Sequence, residues 1–165
     1  MARTIGYCTP GGAETKTSTF PAPGRTSDAS GARPYLAFDA ATDEAAYWTL
    51  RAPQGLTGTM TLIIDYIMAS ATANAVRWGG SVEAITDGDS TDLDAGESID
   101  TENTADVTVP GTAGFIDQAS ITLTNQDSVA AGDYIRIRIR RVGSNGADTA
   151  TGDALMLGAE LRDAA

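Results

Sequence analysis

Residues 133–141 alternate between apolar and charged side chains with a period of two. The isoleucines fall on one parity and the arginines on the other: Ile135, Ile137 and Ile139 against Arg136, Arg138 and Arg140. Successive side chains of a strand point to opposite faces, whereas a helix would scatter these residues around its circumference. The pattern therefore predicts a strand with one buried face.

Seven further segments have strand patterns, bounded by residues typical of turns. They are residues 35–39, 47–52, 59–70, 76–86, 98–109, 116–125 and 155–162. In the fourth strand of the chain, Gly79 and Gly80 predict a bulge or a close backbone approach. The resulting fold class is all-β: an eight-stranded antiparallel sandwich, jelly-roll-like, with an immunoglobulin-like sandwich as the main alternative.

Residues 1–34 differ in composition from the rest of the chain. They contain four of the six prolines and no apolar periodicity, so they bury too little apolar surface to fold by themselves. The segment is predicted either as a disordered tail or as an extended N-terminal arm that becomes ordered against a partner. The predicted division of the chain is an extended N-terminal arm at residues 1–34 and a β-sandwich domain at residues 35–165.

The chain is strongly acidic, with a net charge of -11 and a sequence pI near 4.2. Nucleic acid is not an expected partner, because binding to phosphates needs a basic surface. The simplest role of the acidity is to keep the protein soluble and to prevent self-association. No apolar run approaches the roughly 20 residues of a membrane-spanning helix, so no membrane association is expected.

The residue types available for catalysis are few. The chain has no histidine and a single cysteine, Cys8, which excludes an intrachain disulfide and histidine-activated nucleophiles. A glycosidase would need a defined pair of carboxylates. Candidates such as Asp39, Asp43, Glu44 and Glu83 exist, but 22 acidic residues in 165 produce such pairs by chance. We therefore expect no enzyme activity, no catalytic residue and no cofactor.

The loop at residues 87–94 carries aspartates at several positions, a composition that suits calcium. An EF-hand loop that began at Asp87 would need glycine at its sixth position and glutamate at its twelfth. Asp92 and Ser98 occupy these positions. The loop is therefore interpreted as a solvated turn, and no metal site is expected.

The strand at residues 133–141 carries the main positive feature of the chain, the arginines Arg136, Arg138, Arg140 and Arg141. The three that alternate with isoleucine, Arg136, Arg138 and Arg140, are named the arginine row. They are either a solvent face that pairs with acids on adjacent strands or a surface that contacts an acidic patch on a second copy. The sequence leaves both alternatives open.

Residues 35–163 resemble small jelly-roll structural proteins of tailed bacteriophages. The resemblance depends on short motifs and single residues that occur in the same order and with similar spacing along the chain. They are Leu36-Ala37-Phe38-Asp39, Asp43-Glu44, Tyr47-Trp48, Pro53, Met68-Ala69-Ser70-Ala71, Trp78, Leu123-Thr124-Asn125, Ala131-Gly132-Asp133, Arg141, Asp148-Thr149-Ala150 and Asp153-Ala154.

The resemblance implies a virion structural protein: a decoration protein that binds the major capsid protein as a homotrimer and stabilises the capsid. It would be made in the host cytoplasm and located on the capsid surface. We then expect the arm and the arginine row to form the protein interface. The expected contact residues are Arg3, Tyr7, Phe20, Arg25, Arg33, Arg136, Arg138 and Arg140.

The alternative function is a tail or fibre module that recognises a host-surface glycan. Carbohydrate binding would need a cluster of aromatic side chains on the surface. Exposure of Trp48 or Trp78 would favour this function, and burial of both would remove most of its support.

Overall fold

The computed structural model describes residues 2–27 and 31–163, and that part of the chain contains ten β-strands. They are β1 (Arg3–Cys8), β2 (Ala22–Arg25), β3 (Pro34–Phe38), β4 (Glu44–Arg51), β5 (Met60–Met68), β6 (Ala75–Ile85), β7 (Asn103–Thr108), β8 (Ile116–Leu123), β9 (Tyr134–Arg141) and β10 (Ala154–Asp163). A 3-10 helix, Pro10–Gly12, lies between β1 and β2. Across residues 2–27 and 31–163, no helix has the length and apolar character needed to span a membrane.

The strands form two antiparallel sheets. The six-stranded sheet has the order β2-β3-β10-β5-β8, with β1 also paired to β10, and the four-stranded sheet has the order β4-β9-β6-β7. From β3 to β10, successive strands change sheet at every step except the β6–β7 hairpin, which lies within the four-stranded sheet, as in a jelly roll. An immunoglobulin-like sandwich would place its first two strands in one sheet, whereas β3 and β4 lie in different sheets. The predicted all-β, antiparallel, jelly-roll-like sandwich is confirmed.

The core lies between the sheets and follows the predicted parity in the central strands. In β5, the residues at alternate positions are at most 1% exposed: Met60, Leu62, Ile64, Tyr66 and Met68. In β9, the three isoleucines are fully buried, and the arginine row lies on the opposite face of the strand. Strand periodicity alone therefore identified both inner faces.

Gly79 and Gly80 mark a close approach rather than a bulge. Strand β6 pairs with both neighbours without a register shift at these positions. A Cβ atom at Gly80 would lie 3.1 Å from the side chains of Leu62 and Leu123, and one at Gly79 would run into the Glu102 carboxylate. The glycines let side chains from neighbouring segments pack directly on the backbone of β6.

The N-terminal segment differs from the arm expected from the sequence, because residues 2–27 lie against the sandwich of the same chain. Strand β1 pairs with β10 and β2 pairs with β3. Between them, Glu14 and Tyr47 exchange backbone hydrogen bonds of 2.8 and 2.9 Å across the edge of β4. These backbone bonds order a segment that has no apolar periodicity, and they raise the strand count from eight to ten. Residues 1, 28–30 and 164–165 of the predicted arm and domain lie outside the described residues.

Arg141 does not belong to the charged surface of β9 but points into the sandwich. It and Asp148 are both fully buried and form a bidentate ion pair with distances of 2.9 and 2.8 Å. The guanidinium also donates 2.7 Å hydrogen bonds to the carbonyl oxygens of Ala150 and Gly152. This pair fixes the loop between β9 and β10 to the core.

Candidate functional site

A groove crosses the outer face of the six-stranded sheet, and its floor consists of side chains that point away from the core. Its largest section, of about 720 Å³, is lined by Thr26, Ser27, Arg33, Ile67, Gly114, Phe115, Ile116 and Leu157. Two adjoining sections share Ile67, Ile116 or Leu157 with it and extend to Tyr7 and Asp65 on one side and to Arg25, Tyr35 and Leu155 on the other. We name the three sections together the sheet groove.

The sheet groove owes its shape to a change of partner along β10. Ala154–Met156 pairs with β3, and residues 159–163 pair with β1, so Leu157 and Gly158 have no strand partner on that edge. On the other edge, β10 has a register shift against β5 between Met156 and Gly158. A bulge of this kind reverses the facing of the residues that follow it. As a result, Leu157 lies in the groove, while both flanking halves of β10 still contribute to the core.

The rim of the sheet groove carries exposed apolar and aromatic side chains. Tyr7 is 65% exposed, Phe115 62% and Ile116 64%. Large apolar side chains that lie together on a surface mark a contact or ligand site more often than isolated ones do. Next to them, Gln118 donates a 2.7 Å hydrogen bond to Asp65. The groove therefore combines flat apolar surfaces with fixed polar groups.

The ionisable groups beneath this face are not suited to catalysis. Burial raises the pKa of Cys8 to about 12, so its thiol stays protonated near neutral pH and is a poor nucleophile. Burial, together with the 2.9 Å hydrogen bond that its hydroxyl donates to Asp117, also raises the pKa of Tyr66. Across residues 2–27 and 31–163, no three acidic or sulfur side chains are grouped so that they could hold a metal ion.

The expected interface residues lie on two different faces. Tyr7, Arg25 and Arg33 line the sheet groove, and Phe20 is 39% exposed outside it. Arg3 forms a 2.8 Å ion pair with Asp163. The structure thus brings three of the predicted residues together and separates them from the arginine row, which lies on the four-stranded sheet. A role for any of them in binding a partner stays a prediction.

The arginine row is paired with acidic residues of the same chain. Arg136 lies 3.5 Å from Glu14 and 3.8 Å from Glu97, and its guanidinium stacks 4.3 Å from the ring centre of Tyr47. Arg138 and Arg140 share the carboxylate of Glu102, at distances of 3.7 and 2.8 Å. Arg140 also lies 3.3 Å from Asp43. Of the two alternatives for the row, these contacts correspond to pairing with acids on adjacent segments.

Both tryptophans are buried, so neither provides a surface for a glycan. Trp48 is 3% exposed, and its indole donates a 2.8 Å hydrogen bond to the carbonyl oxygen of Thr9. Trp78 is fully buried between the rings of Phe38 and Tyr66, with ring centres 5.1 and 5.4 Å away. By the criterion drawn from the sequence, burial of both tryptophans removes most of the support that they gave to the glycan hypothesis, and any aromatic surface for a sugar has to be provided by other residues.

Four groove residues were not predicted as site residues from the sequence: Phe115, Ile116, Ile67 and Leu157. A signal was present for two of them. Ile116 shares its parity in β8 with polar residues at positions 118, 120 and 122, and Ile67 shares its parity in β5 with Asp65. An apolar residue on the polar parity of a strand indicates a surface that contacts something other than water.

Known proteins were compared with this chain by family, by sequence and by structure. No family model matches it, and no curated protein matches it. Similar solved structures include a carbohydrate-binding module from Cellvibrio mixtus lichenase 5A in complex with cellotriose, with 12% identity and a TM-score of 0.47 over 99% of this chain and 100% of that one. The family 11 module from Clostridium thermocellum has 10% identity and a TM-score of 0.46 over 90% and 86%. The CBM35 module of Cellvibrio japonicus Abf62 has 12% identity and a TM-score of 0.46 over 98% and 91%.

These three neighbours are carbohydrate-binding modules with a jelly-roll β-sandwich, and none of them is a phage or capsid protein. At this level of identity and TM-score, the likeness carries no argument about what the present chain binds. The function has to be argued from the sheet groove itself.

Proposed function

We propose that this protein is a non-catalytic carbohydrate-binding module and that the sheet groove binds an oligosaccharide. The observation that carries the proposal is the exposure of Phe115 and Tyr7 beside an apolar groove floor. A sugar ring has an apolar face of C–H groups and a polar edge of hydroxyls. Aromatic side chains offer a flat surface to the apolar face of the sugar, and a few fixed polar groups can bind its hydroxyls.

The dimensions of the sheet groove suit a chain of sugars. Its lining residues come from four adjacent strands: Tyr35 in β3, Leu157 in β10, Ile67 in β5 and Ile116 in β8. Adjacent strands lie about 4.8 Å apart, so three intervals span roughly 14 Å. A short run of sugar rings fits this length when it crosses the strands.

Polar groups are available at both ends of this path. Asp65 and Gln118 are hydrogen-bonded to each other on the side of Tyr7, and Thr26 and Ser27 lie on the side of β2. These groups offer both donors and acceptors to sugar hydroxyls. The groove is therefore apolar along its floor and polar at its ends, where Arg25 and Arg33 also line it, and this combination suits an oligosaccharide.

The experiment is isothermal titration calorimetry of the full chain with soluble cello-, xylo-, manno- and laminari-oligosaccharides and with bacterial cell-surface polysaccharides. We expect Phe115→Ala to weaken the binding of the best ligand about tenfold or more, because burial of an aromatic face contributes ~1.5–3 kcal/mol. Phe20→Ala, which removes a half-exposed ring outside the groove, is the matched control and should bind as the unmodified protein does. Equal affinities for the two variants would overturn the assignment of the groove.

The homotrimeric capsid decoration protein expected from the resemblance stays a prediction. Residues 2–27, through which it would attach, are engaged with the sandwich of their own chain. The arginine row has acidic partners within the chain. Attachment to a capsid through residues 2–27 or the arginine row would therefore use groups that already have partners within the chain.

A further inference from the structure

A second depression lies on the opposite face of the sandwich, at the end of the four-stranded sheet. It has a volume of about 490 Å³ and is lined by Arg51, Ile85, Thr86, Asp87, Gly88, Asp89, Gly132 and Tyr134. We name it the loop pocket. Its volume falls within the range of roughly 300–1,000 Å³ that small-molecule sites occupy, and no residue of the sheet groove lines it.

Strand register positions the walls of the loop pocket. Arg51 is the last residue of β4, and it lies opposite Tyr134, the first residue of β9. Tyr134 in turn lies opposite Ile85, the last residue of β6. Three adjacent strands therefore end at one level. The turn at residues 86–89 closes the side of the pocket and is held by a 2.9 Å hydrogen bond from the Thr86 amide to Asp89.

Two exposed charged side chains line the loop pocket without a partner in the described residues. In the part of the chain that the structure describes, neither Arg51 nor Asp87 forms an ion pair or a side-chain hydrogen bond. Tyr134 is 36% exposed, and its hydroxyl lies 3.2 Å from the Thr49 hydroxyl. A guanidinium, a carboxylate and a positioned aromatic ring thus line one depression, and the two charges do not pair with each other.

This set of groups distinguishes between classes of ligand. An anion would be attracted by Arg51 but repelled by Asp87 and Asp89. A cation would be attracted by the two aspartates but repelled by Arg51. A neutral sugar can donate hydroxyl hydrogens to the carboxylate and accept hydrogen bonds from the guanidinium. Its C–H face can also pack on the ring of Tyr134. The polarity of the pocket therefore matches one neutral sugar unit.

We propose that the loop pocket is a second carbohydrate site, which binds a single neutral sugar unit through Arg51, Asp87 and Tyr134. The inference extends the proposed function but uses none of the residues of the sheet groove. Because the two sites lie on opposite faces, one short oligosaccharide cannot occupy both. The module would then link two glycan chains and gain avidity on a dense polysaccharide surface.

The test is heteronuclear NMR titration of the full chain, unmodified and as Phe115→Ala, with methyl glycosides of glucose, galactose, mannose and xylose. We expect shifts of Tyr134 and residues 85–89 that persist in Phe115→Ala. Arg51→Gln and Asp87→Asn should each weaken that binding about tenfold, since a hydrogen bond to a charged group is lost. Asp94→Asn removes the same charge from the same loop outside the pocket and is the control.

The outcomes separate the two proposals. Shifts confined to groove residues would overturn the second site and leave the proposed function standing. Shifts at Tyr134 that disappear in Arg51→Gln but not in Asp94→Asn would support the second site, whatever the groove does. If none of the four glycosides shifts Tyr134, the loop pocket is not a sugar site. Unchanged thermal unfolding of the variants confirms that a lost signal reports binding rather than folding.

Discussion

Replacement of Asp148 by alanine tests the energetic role of the buried ion pair. All five N–H groups of Arg141 have acceptors: two on Asp148 and three on the carbonyl oxygens of Phe38, Ala150 and Gly152. The same carboxylate also accepts a 2.9 Å hydrogen bond from the backbone amide of Arg77. Asp148→Ala leaves a fully buried guanidinium with its positive charge uncompensated.

Removal of one partner of a buried ion pair typically costs about 3–5 kcal/mol, since the remaining charge is desolvated without compensation. Domains of this kind are stable by only about 5–15 kcal/mol. For a chain of this size, each kcal/mol lowers the melting temperature by roughly 2–4 °C. We therefore expect Asp148→Ala to lose about a fifth or more of the free energy of unfolding and to melt roughly 6–20 °C lower.

The assay is urea unfolding followed by tryptophan fluorescence, with calorimetry for the melting temperature. Asp106→Ala is the matched control, because Asp106 is 46% exposed and forms a 2.9 Å ion pair with Arg77 at the surface. Exposed pairs contribute only about 0–1 kcal/mol. If Asp148→Ala were as stable as Asp106→Ala, the conclusion that the pair fixes the last long loop to the core would be wrong.

Three further changes have outcomes that follow from the structure. Native Cys8 should resist alkylation at pH 8 and react only in urea. Burial raises the pKa of Cys8 to about 12 in the folded protein, whereas an ordinary thiol has a pKa of about 8.5. Between these two values only the unfolded chain loses the thiol proton, so the free energy of unfolding should fall as pH rises. Rapid labelling of the folded protein would contradict its burial. Gly79→Ala should lose up to about 1 kcal/mol in urea unfolding, because its Cβ would displace the Glu102 carboxylate from its partly exposed ion pair with Arg140. Gly111→Ala, with open space where its Cβ would lie, should keep its stability; equal stabilities would refute the close approach. The backbone hydrogen bond from Ala41 lowers the pKa of Asp39, so the ionised group stabilises the fold above its unfolded pKa of about 3.9, and this contribution is lost as pH falls through the lower folded value. Asp39→Asn should therefore show a weaker loss of stability in acid titration below pH ~4, and an unchanged acid profile would count against this contribution.

The sequence was sufficient to locate strands that keep one period from end to end. Strand β5 has an apolar residue at every second position, and β9 separates its three isoleucines from the arginine row, with Arg141 as the exception on the buried parity. The eight segments predicted from the sequence correspond to β3–β10. Burial between two sheets imposes the period of two at each such position, so the signal is strong and local.

Strand β10 shows where periodicity stops being informative. The alternation predicts that Leu155, Leu157, Ala159 and Leu161 share one face. In the structure, Met156 and Ala159 are buried, whereas Leu155 and Leu157 lie on the groove side. A register shift between Met156 and Gly158 reverses the facing midway. A bulge depends on which neighbours the strand pairs with, and the sequence of the strand alone does not contain that information.

The N-terminal segment was missed for a related reason. Strands β1 and β2 are short, and most of their side chains are exposed, so they have little apolar pattern. Their order comes from backbone hydrogen bonds to β10 and β3, whose free edges they cover. Backbone pairing is available to almost any sequence and leaves no signal in the composition. The composition of the segment therefore predicted an arm without strand partners. Cys8, fully buried at the end of β1, anchors the segment in the core, and Ile5 and Ala13 pack against the same core.

The same segment connects the fold to the proposed function. β1 contributes Tyr7 to one end of the sheet groove, and β2 with the residues that follow it contributes Arg25, Thr26 and Ser27 to the other. Between them, the chain crosses the edge of β4, where Glu14 and Tyr47 are paired. The sequence suggested that this segment attaches the protein to a partner. In the folded chain, its residues form both ends of the groove in which we propose that a ligand binds, so the segment takes part in recognition as a wall of the site, and its order depends on contacts made within the chain.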